Sequence, residues 1–163
     1  MEYMNKEDTN NYDRLISSLL ILADLLNKHN IDWCLGASMM LKLRGIDVTV
    51  EDIDVIIKTD DISLVEEVLK FYSPQKKVPS SIYLTDHFYE LLIDNIDIDI
   101  MIGFKVKTNK GVYSFNETSK VDKIVIKGTT IYLASLEEWL KAYTAMNRVK
   151  KVKVIQNHLK NRR

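Results

Sequence analysis

Two short segments set aspartates one residue apart on strand-like sequence: Asp52-Ile53-Asp54 in EDIDVII, and Asp97-Ile98-Asp99 in NIDIDIMIG. Residues two apart in a strand share a face. Asp52 and Asp54 therefore point one way while Ile53 and Val55 point the other, and Asp97 and Asp99 share a face opposite Ile98 and Ile100. Carboxylates placed like this have two physical uses. On a half-exposed strand they face water. On adjacent strands three or four of them converge, and desolvating them without counter-charge is costly for every ion. Convergence becomes favourable around a hard divalent cation, which takes oxygen ligands. Aspartate is disfavoured in strands, so four of them in two strands weigh toward the cation.

About a dozen residues upstream, Gly36-Ala37-Ser38 turns a short strand into a short helix. Unpaired backbone N–H groups and the positive end of the helix dipole suit phosphate oxygens at such a turn. Small side chains let a phosphate approach, and the Ser38 hydroxyl adds a donor. Alone, a strand–glycine–helix turn is ordinary chain reversal. Followed by Asp52-x-Asp54 it becomes a constellation, a phosphate cradle and then metal ligands, with Mg²⁺ the usual ion beside phosphates.

The elements that must position these groups are legible from periodicity. Leu15, Leu19, Leu22, Ala23 and Leu26 recur at helical spacing and predict an amphipathic helix over 11–28. Strands are expected at 31–35 and from Asp52, with the helix SMMLKLR between them stopped by Gly45. Thr59, Asp60 or Ser63 can cap the next helix, LVEEVLKFY, which Pro74 ends. A loop over 73–80 leads to two strands around a turn at Asp94-Asn95, then VYSF, then a hairpin turning near Gly128. Ser135-Leu-Glu-Glu138 reads as a capping box opening a helix with Leu136, Trp139, Leu140, Tyr143 and Met146 on one face. A last helix carries Val152, Ile155 and Leu159. The expectation is an α/β or α+β fold, a small mixed sheet flanked by helices with a C-terminal helical pair. It is read as a single domain over 1–163, core about 12–133 and C-terminal helices about 135–160.

The 163 residues, 46% apolar and 28% charged, have the composition of a soluble globular domain. No apolar run reaches the roughly 20 residues of a membrane span, so no membrane partner is expected. The polar start MEYMNKEDTN lacks the apolar core of a secretory signal. The lone Cys34 excludes an internal disulfide framework and a cysteine zinc site, reads as a buried strand residue, and fits a cytoplasmic location. Charge is unevenly spread. From Trp139 to Arg163 there are eight basic residues and no acid, leaving a net −8 on the rest of the chain. That asymmetry has two readings, an anionic ligand near the tail or a solvated helix surface. His87 reads as a surface or loop residue, and His29 and His158 as helix-end residues near the dipole's negative end. Tyr83, Phe88 and Tyr89 could stack on a base, though strand aromatics are mostly core.

The segment LGASMMLKLRGIDVTVEDIDVII, with Thr49 ahead of the acidic pair, resembles the core of the polymerase-β-like nucleotidyltransferase superfamily. The resemblance extends to small bacterial members, the aminoglycoside and lincosamide nucleotidyltransferases and the nucleotidyltransferase toxins of abortive-infection systems. It implies a third acid on a later strand. DIMIG makes that Asp99, with Asp97 the fallback. It further implies that Asp52, Asp54 and Asp99 are the catalytic metal ligands for two Mg²⁺ ions. Gly36, Ala37 and Ser38 would bind the triphosphate, with Arg148 and Lys150 as the neutralising cations. The implied partners are a nucleoside triphosphate and an acceptor hydroxyl on a small molecule, RNA or protein. Ala37 stands where a second Gly or a Ser is usual, Asp47 where many relatives are basic, Tyr143 where many have lysine, and Lys151 where an acid is common. Two other readings use the same residues: a catalytically weak or inactive nucleotide-binding member, and a toxin-like or RNA-associated protein on the same fold.

Overall fold

The computed structural model describes residues 6–162. Helix α1 (Lys6–Lys28) buries Leu15, Leu19, Leu22 and Leu26. It begins five residues before the apolar stripe indicates, because polar turns carry no hydrophobic periodicity and Glu7 and Asp8 suit the helix's positive end. Strand β1 (Asp32–Gly36) passes directly into α2 (Ala37–Leu43), and β2 (Ile53–Lys58) follows. Helix α3 (Ile62–Leu69) is capped by Asp61, whose carboxylate accepts from the Leu64 N–H at 3.0 Å. Thr59 instead accepts from the Asp61 N–H, so none of the three expected residues is the cap.

The expected 73–80 loop contains a short strand, β3 (Gln75–Lys77). Strands β4 (His87–Ile93) and β5 (Ile96–Ile102) form the hairpin read from sequence. Asp94 and Asn95 at its tip have φ of 50° and 64°, the double left-handed turn that matches strand twist. Strands β6 (Lys105–Thr108) and β7 (Gly111–Ser114) pair with each other. Strands β8 (Asp122–Ile126) and β9 (Thr129–Leu133) form the Gly128 hairpin. Ser135 caps α4 (Leu136–Ala145), accepting from the Glu138 N–H at 3.1 Å. The capping box is only half made. The Glu138 carboxylate is buried and accepts from the Asn116 N–H at 2.6 Å and the Tyr113 hydroxyl at 3.1 Å. Helix α5 (Val149–Asn161) completes the C-terminal pair.

Seven strands form one mixed sheet in the order β3-β4-β5-β2-β1-β9-β8. The three central strands set the site. β2 runs parallel to β5 with Asp54 beside Asp99, and antiparallel to β1 with Gly36 beside Asp54. Neighbouring strands lie about 4.8 Å apart, so glycine bend and carboxylates form one row across the sheet. Ile53, Val55, Ile98 and Ile100 take the opposite face and are fully buried, which fixes the register: a one-residue slip would put every aspartate in the core. Among the described residues no helix is long and apolar enough to cross a membrane.

Candidate functional site

One carboxylate oxygen from each of Asp52, Asp54 and Asp99 lies within 4.8 Å of the other two. Asp52 sits in the bend just before β2, Asp54 is its second residue, and Asp99 is in mid-β5. Asp97 is exposed and lies outside this group, paired across the hairpin with Leu92 rather than placed beside Asp54. Sharing Asp99's face was not enough, because two residues along a strand is a displacement of about 6.6 Å. The three acids line a cavity of about 490 Å³ together with Ala37, Ser38 and Arg148.

The electrostatics are those of like charges crowded together in a partly buried site. Burial, then the charges of Asp52 and Asp99, holds the Asp54 carboxyl well above the ordinary carboxylate range. Burial, then Asp52 and Glu90, pushes Asp99 up to about 6. Asp52 is raised by burial and by Asp97 and Glu51. Arg148 opposes these effects at Asp52 and Asp54. Three carboxylates held this closely offer the oxygen-only donor set that hard divalent ions prefer, so the residues fit a metal.

Gly36 is required for a reason the sequence hid. A Cβ there would lie 2.1 Å from Cζ2 of Trp139, so the glycine admits the indole ring. Trp139 stacks at 6.0 Å on Phe104 and packs at 5.4 Å on Tyr143. Its Nε1 is buried with no hydrogen-bond partner among the described residues. Ala37 adopts φ of 52°, a left-handed conformation that a side chain disfavours. Helix α2 has no side-chain cap. Ser38 ties this bend to the C-terminal helices: its hydroxyl accepts from Lys151 Nζ at 2.9 Å and hydrogen-bonds Tyr143.

Lys151, not Lys150, is therefore the lysine at the bend. Lys150 is exposed, whereas Lys151 is half-buried; neither lines the cavity itself, and it is the Ser38 contact that sets Lys151 at the bend. Burial, then the Arg148 charge, lowers the Lys151 pKa, while Asp52 raises it. The helical register of Val152 and Ile155 held the signal: Val152 packs against the core, Ile155 is buried within it, and Lys151 is the lysine one turn before Ile155. Glu90 was also missed. It lies opposite Asp99 across the β4–β5 hairpin, lines the cavity, and pairs with Lys77 at 3.3 Å. Alternation in HFYELLI puts it on that face, but only the pairing register brings it to Asp99.

Of the aromatic candidates, Tyr83 and Phe88 line the cavity. Tyr89 is buried on the other face and donates to Glu66 at 2.6 Å. His87 begins β4 rather than lying in a loop, and its Nδ1 is buried with no hydrogen-bond partner among the described residues. Cys34 is buried, and burial pushes its thiol up to about 12.

A mixed sheet with a glycine bend beside carboxylates on two parallel strands defines a class, the nucleotidyltransferase fold, and the protein has that fold. It is similar over 99% of its length to a solved structure from Thermotoga maritima described as a nucleotidyltransferase, with TM-score 0.68, 24% identity and 98% of that chain covered. It is also similar to ANT(2″)-Ia solved with adenylyl-2″-tobramycin (TM-score 0.56, 12% identity, 90% of this chain and 88% of that one). The lincosamide adenylyltransferase LnuA, solved with lincomycin, matches at TM-score 0.56 and 13% identity over 86% of this chain and 95% of its own. No protein-family model and no curated protein sequence matches the chain.

Proposed function

We propose that the protein transfers a nucleoside monophosphate from a nucleoside triphosphate to an acceptor hydroxyl, with Mg²⁺ as the ion. The observation that carries this is the convergence of Asp52, Asp54 and Asp99 within 4.8 Å, in a cavity that also holds Ser38 and Arg148. Two structural neighbours, solved with adenylyl-tobramycin and with lincomycin, support the same reaction class.

In this reading Asp52, Asp54 and Asp99 would together hold the Mg²⁺ ions, two being expected with the nucleotide. Bound there, the metal would supply positive charge against the negative charge that develops during the displacement. Arg148 and Lys151 orient and neutralise the triphosphate, Lys151 standing in for the lysine that many members of the resembled superfamily have where this chain has Tyr143. Gly36, Ala37 and Ser38 form the floor under it. The acceptor oxygen bonds to the α-phosphorus as the α–β phosphoanhydride breaks and pyrophosphate leaves. Asp99 takes the acceptor proton or passes it to water. Trp139, Phe104 and Phe88 give the cavity an apolar wall, and excluding water there strengthens every charge interaction.

The test is pyrophosphate release from each nucleoside triphosphate in the presence of Mg²⁺ and a panel of hydroxyl acceptors. Release that needs both metal and acceptor, and disappears in Asp54→Asn, is expected. Equal release from wild type and Asp54→Asn would overturn the reading.

A further inference from the structure

A second groove, of about 950 Å³, shares Tyr83 and Met146 with the cavity that holds the carboxylates. Lys107, Lys110 and Lys141 line it, and among the described residues no carboxylate does. Lys107 and Lys110 make no ion pair among the described residues. Among the described residues Lys141 approaches only the Glu138 carboxylate, at 3.8 Å, and that carboxylate is already engaged by Asn116 and Tyr113. Gln156 brings α5 to the groove. Lys153 and Lys160 stand three residues before and four after it, both exposed, so they share its helix face. The acid-free C-terminal segment thus turns part of its charge toward this groove rather than spreading it over solvent. Neutral amides, Asn109 and Asn147, alternate with the lysines, and the half-exposed ring of Tyr83 stands where groove meets cavity.

We propose that this groove binds a single-stranded polynucleotide and presents its terminal hydroxyl to the carboxylates past Tyr83 and Met146. Lysines without counter-ions track phosphates, an exposed aromatic ring stacks a base, and amides meet base edges. An unphosphorylated small acceptor would have no use for a cation row leading away from the site. The delivery step rests on the transferase reading. The strand's terminal oxygen bonds to the α-phosphorus of the nucleoside triphosphate, its proton leaves to Asp99 or water, and pyrophosphate departs. RNA and DNA share the recognising chemistry.

The experiment uses the full chain and two 5′-fluorescein-labelled 12-mers of mixed sequence, one RNA and one DNA, titrated by fluorescence anisotropy between 50 and 200 mM salt. Binding that weakens with salt is expected, and the tighter strand identifies the sugar. In Lys107→Glu/Lys110→Glu the loss of two phosphate contacts lowers affinity about tenfold near 0.15 M salt and flattens the log–log salt slope by about 1.4. The milder Lys107→Gln/Lys110→Gln gives a loss in the same direction. Asp54→Asn keeps strand binding, and the lysine variants keep Mg²⁺-dependent binding of a triphosphate analogue. Failure of the groove and failure of the transferase reading therefore leave different signatures. Binding of neither strand, binding indifferent to salt, or equal binding by both lysine variants and wild type overturns the proposal.

Discussion

Replacing Asp99 by asparagine should stabilise the metal-free protein at neutral pH, and the size follows from the crowding of the three carboxylates. Asp99 is raised from 3.8 to about 6 by burial and by Asp52 and Glu90. A shift of about two units corresponds to roughly 3 kcal/mol. Asp99 is only partly buried, so solvent screening reduces this to about 1.5 kcal/mol. Because the folded pKa lies above the unfolded one, the native state is favoured by this group below about pH 4. That advantage is lost as pH rises through 6. Asp99→Asn keeps the shape and removes the charge, so at pH 7.5 in EDTA its melting temperature should rise by about 3–6 °C, at roughly 2–4 °C per kcal/mol for a chain of this size. At pH 4.5, where Asp99 is mostly protonated in the folded wild type, the gain should fall to about a third. Added Mg²⁺ should then stabilise wild type at pH 7.5 and the variant far less. Thermal unfolding by circular dichroism measures all of these. A gain that is the same at both pH values, or a variant less stable than wild type at pH 7.5, would refute the reasoning.

Gly36→Ala should lower stability by about 2 kcal/mol or more, since its Cβ meets the Trp139 ring and overpacking costs roughly 1–3 kcal/mol. Ala37→Gly should do the opposite: relief of a left-handed alanine is worth about 1–2 kcal/mol, less roughly 0.5–1 for glycine entropy. Chemical denaturation reads both, and a stable Gly36→Ala would remove the packing explanation for the glycine. Lys151→Met should weaken binding of a triphosphate analogue about tenfold, the order expected for one charge-assisted contact, while Lys150→Met leaves it unchanged. Equal effects of the two would show that the Ser38 contact does not select Lys151.

What sequence alone conveyed depended on how local each signal was. The Ile-Asp-Ile-Asp alternation fixed the faces of both central strands, because burying isoleucine on one side forces aspartate to the other. It did not distinguish Asp97 from Asp99, since that choice belongs to the register between β2 and β5, which no local pattern encodes. Strands β3, of sequence QKK, and β6, of sequence KVKT, carry too little apolar content to show themselves and exist through pairing with neighbours. Gly36 was legible as a bend, but its indole neighbour arrives from a helix a hundred residues later. Glu138 fitted a capping box and was drawn away by the Asn116 N–H and Tyr113. Lys151 lay beside a residue already singled out. Only the packing of α5 against the bend separates it from Lys150.

The central claim is that the carboxylate row and the glycine bend form one site for a metal-bound triphosphate. Isothermal titration of a non-hydrolysable nucleoside triphosphate analogue, with Mg²⁺ and with EDTA, tests it most directly. The account predicts micromolar or weaker binding that requires Mg²⁺ and is lost in Asp54→Asn. Binding of equal strength in EDTA, or in Asp54→Asn, would contradict it.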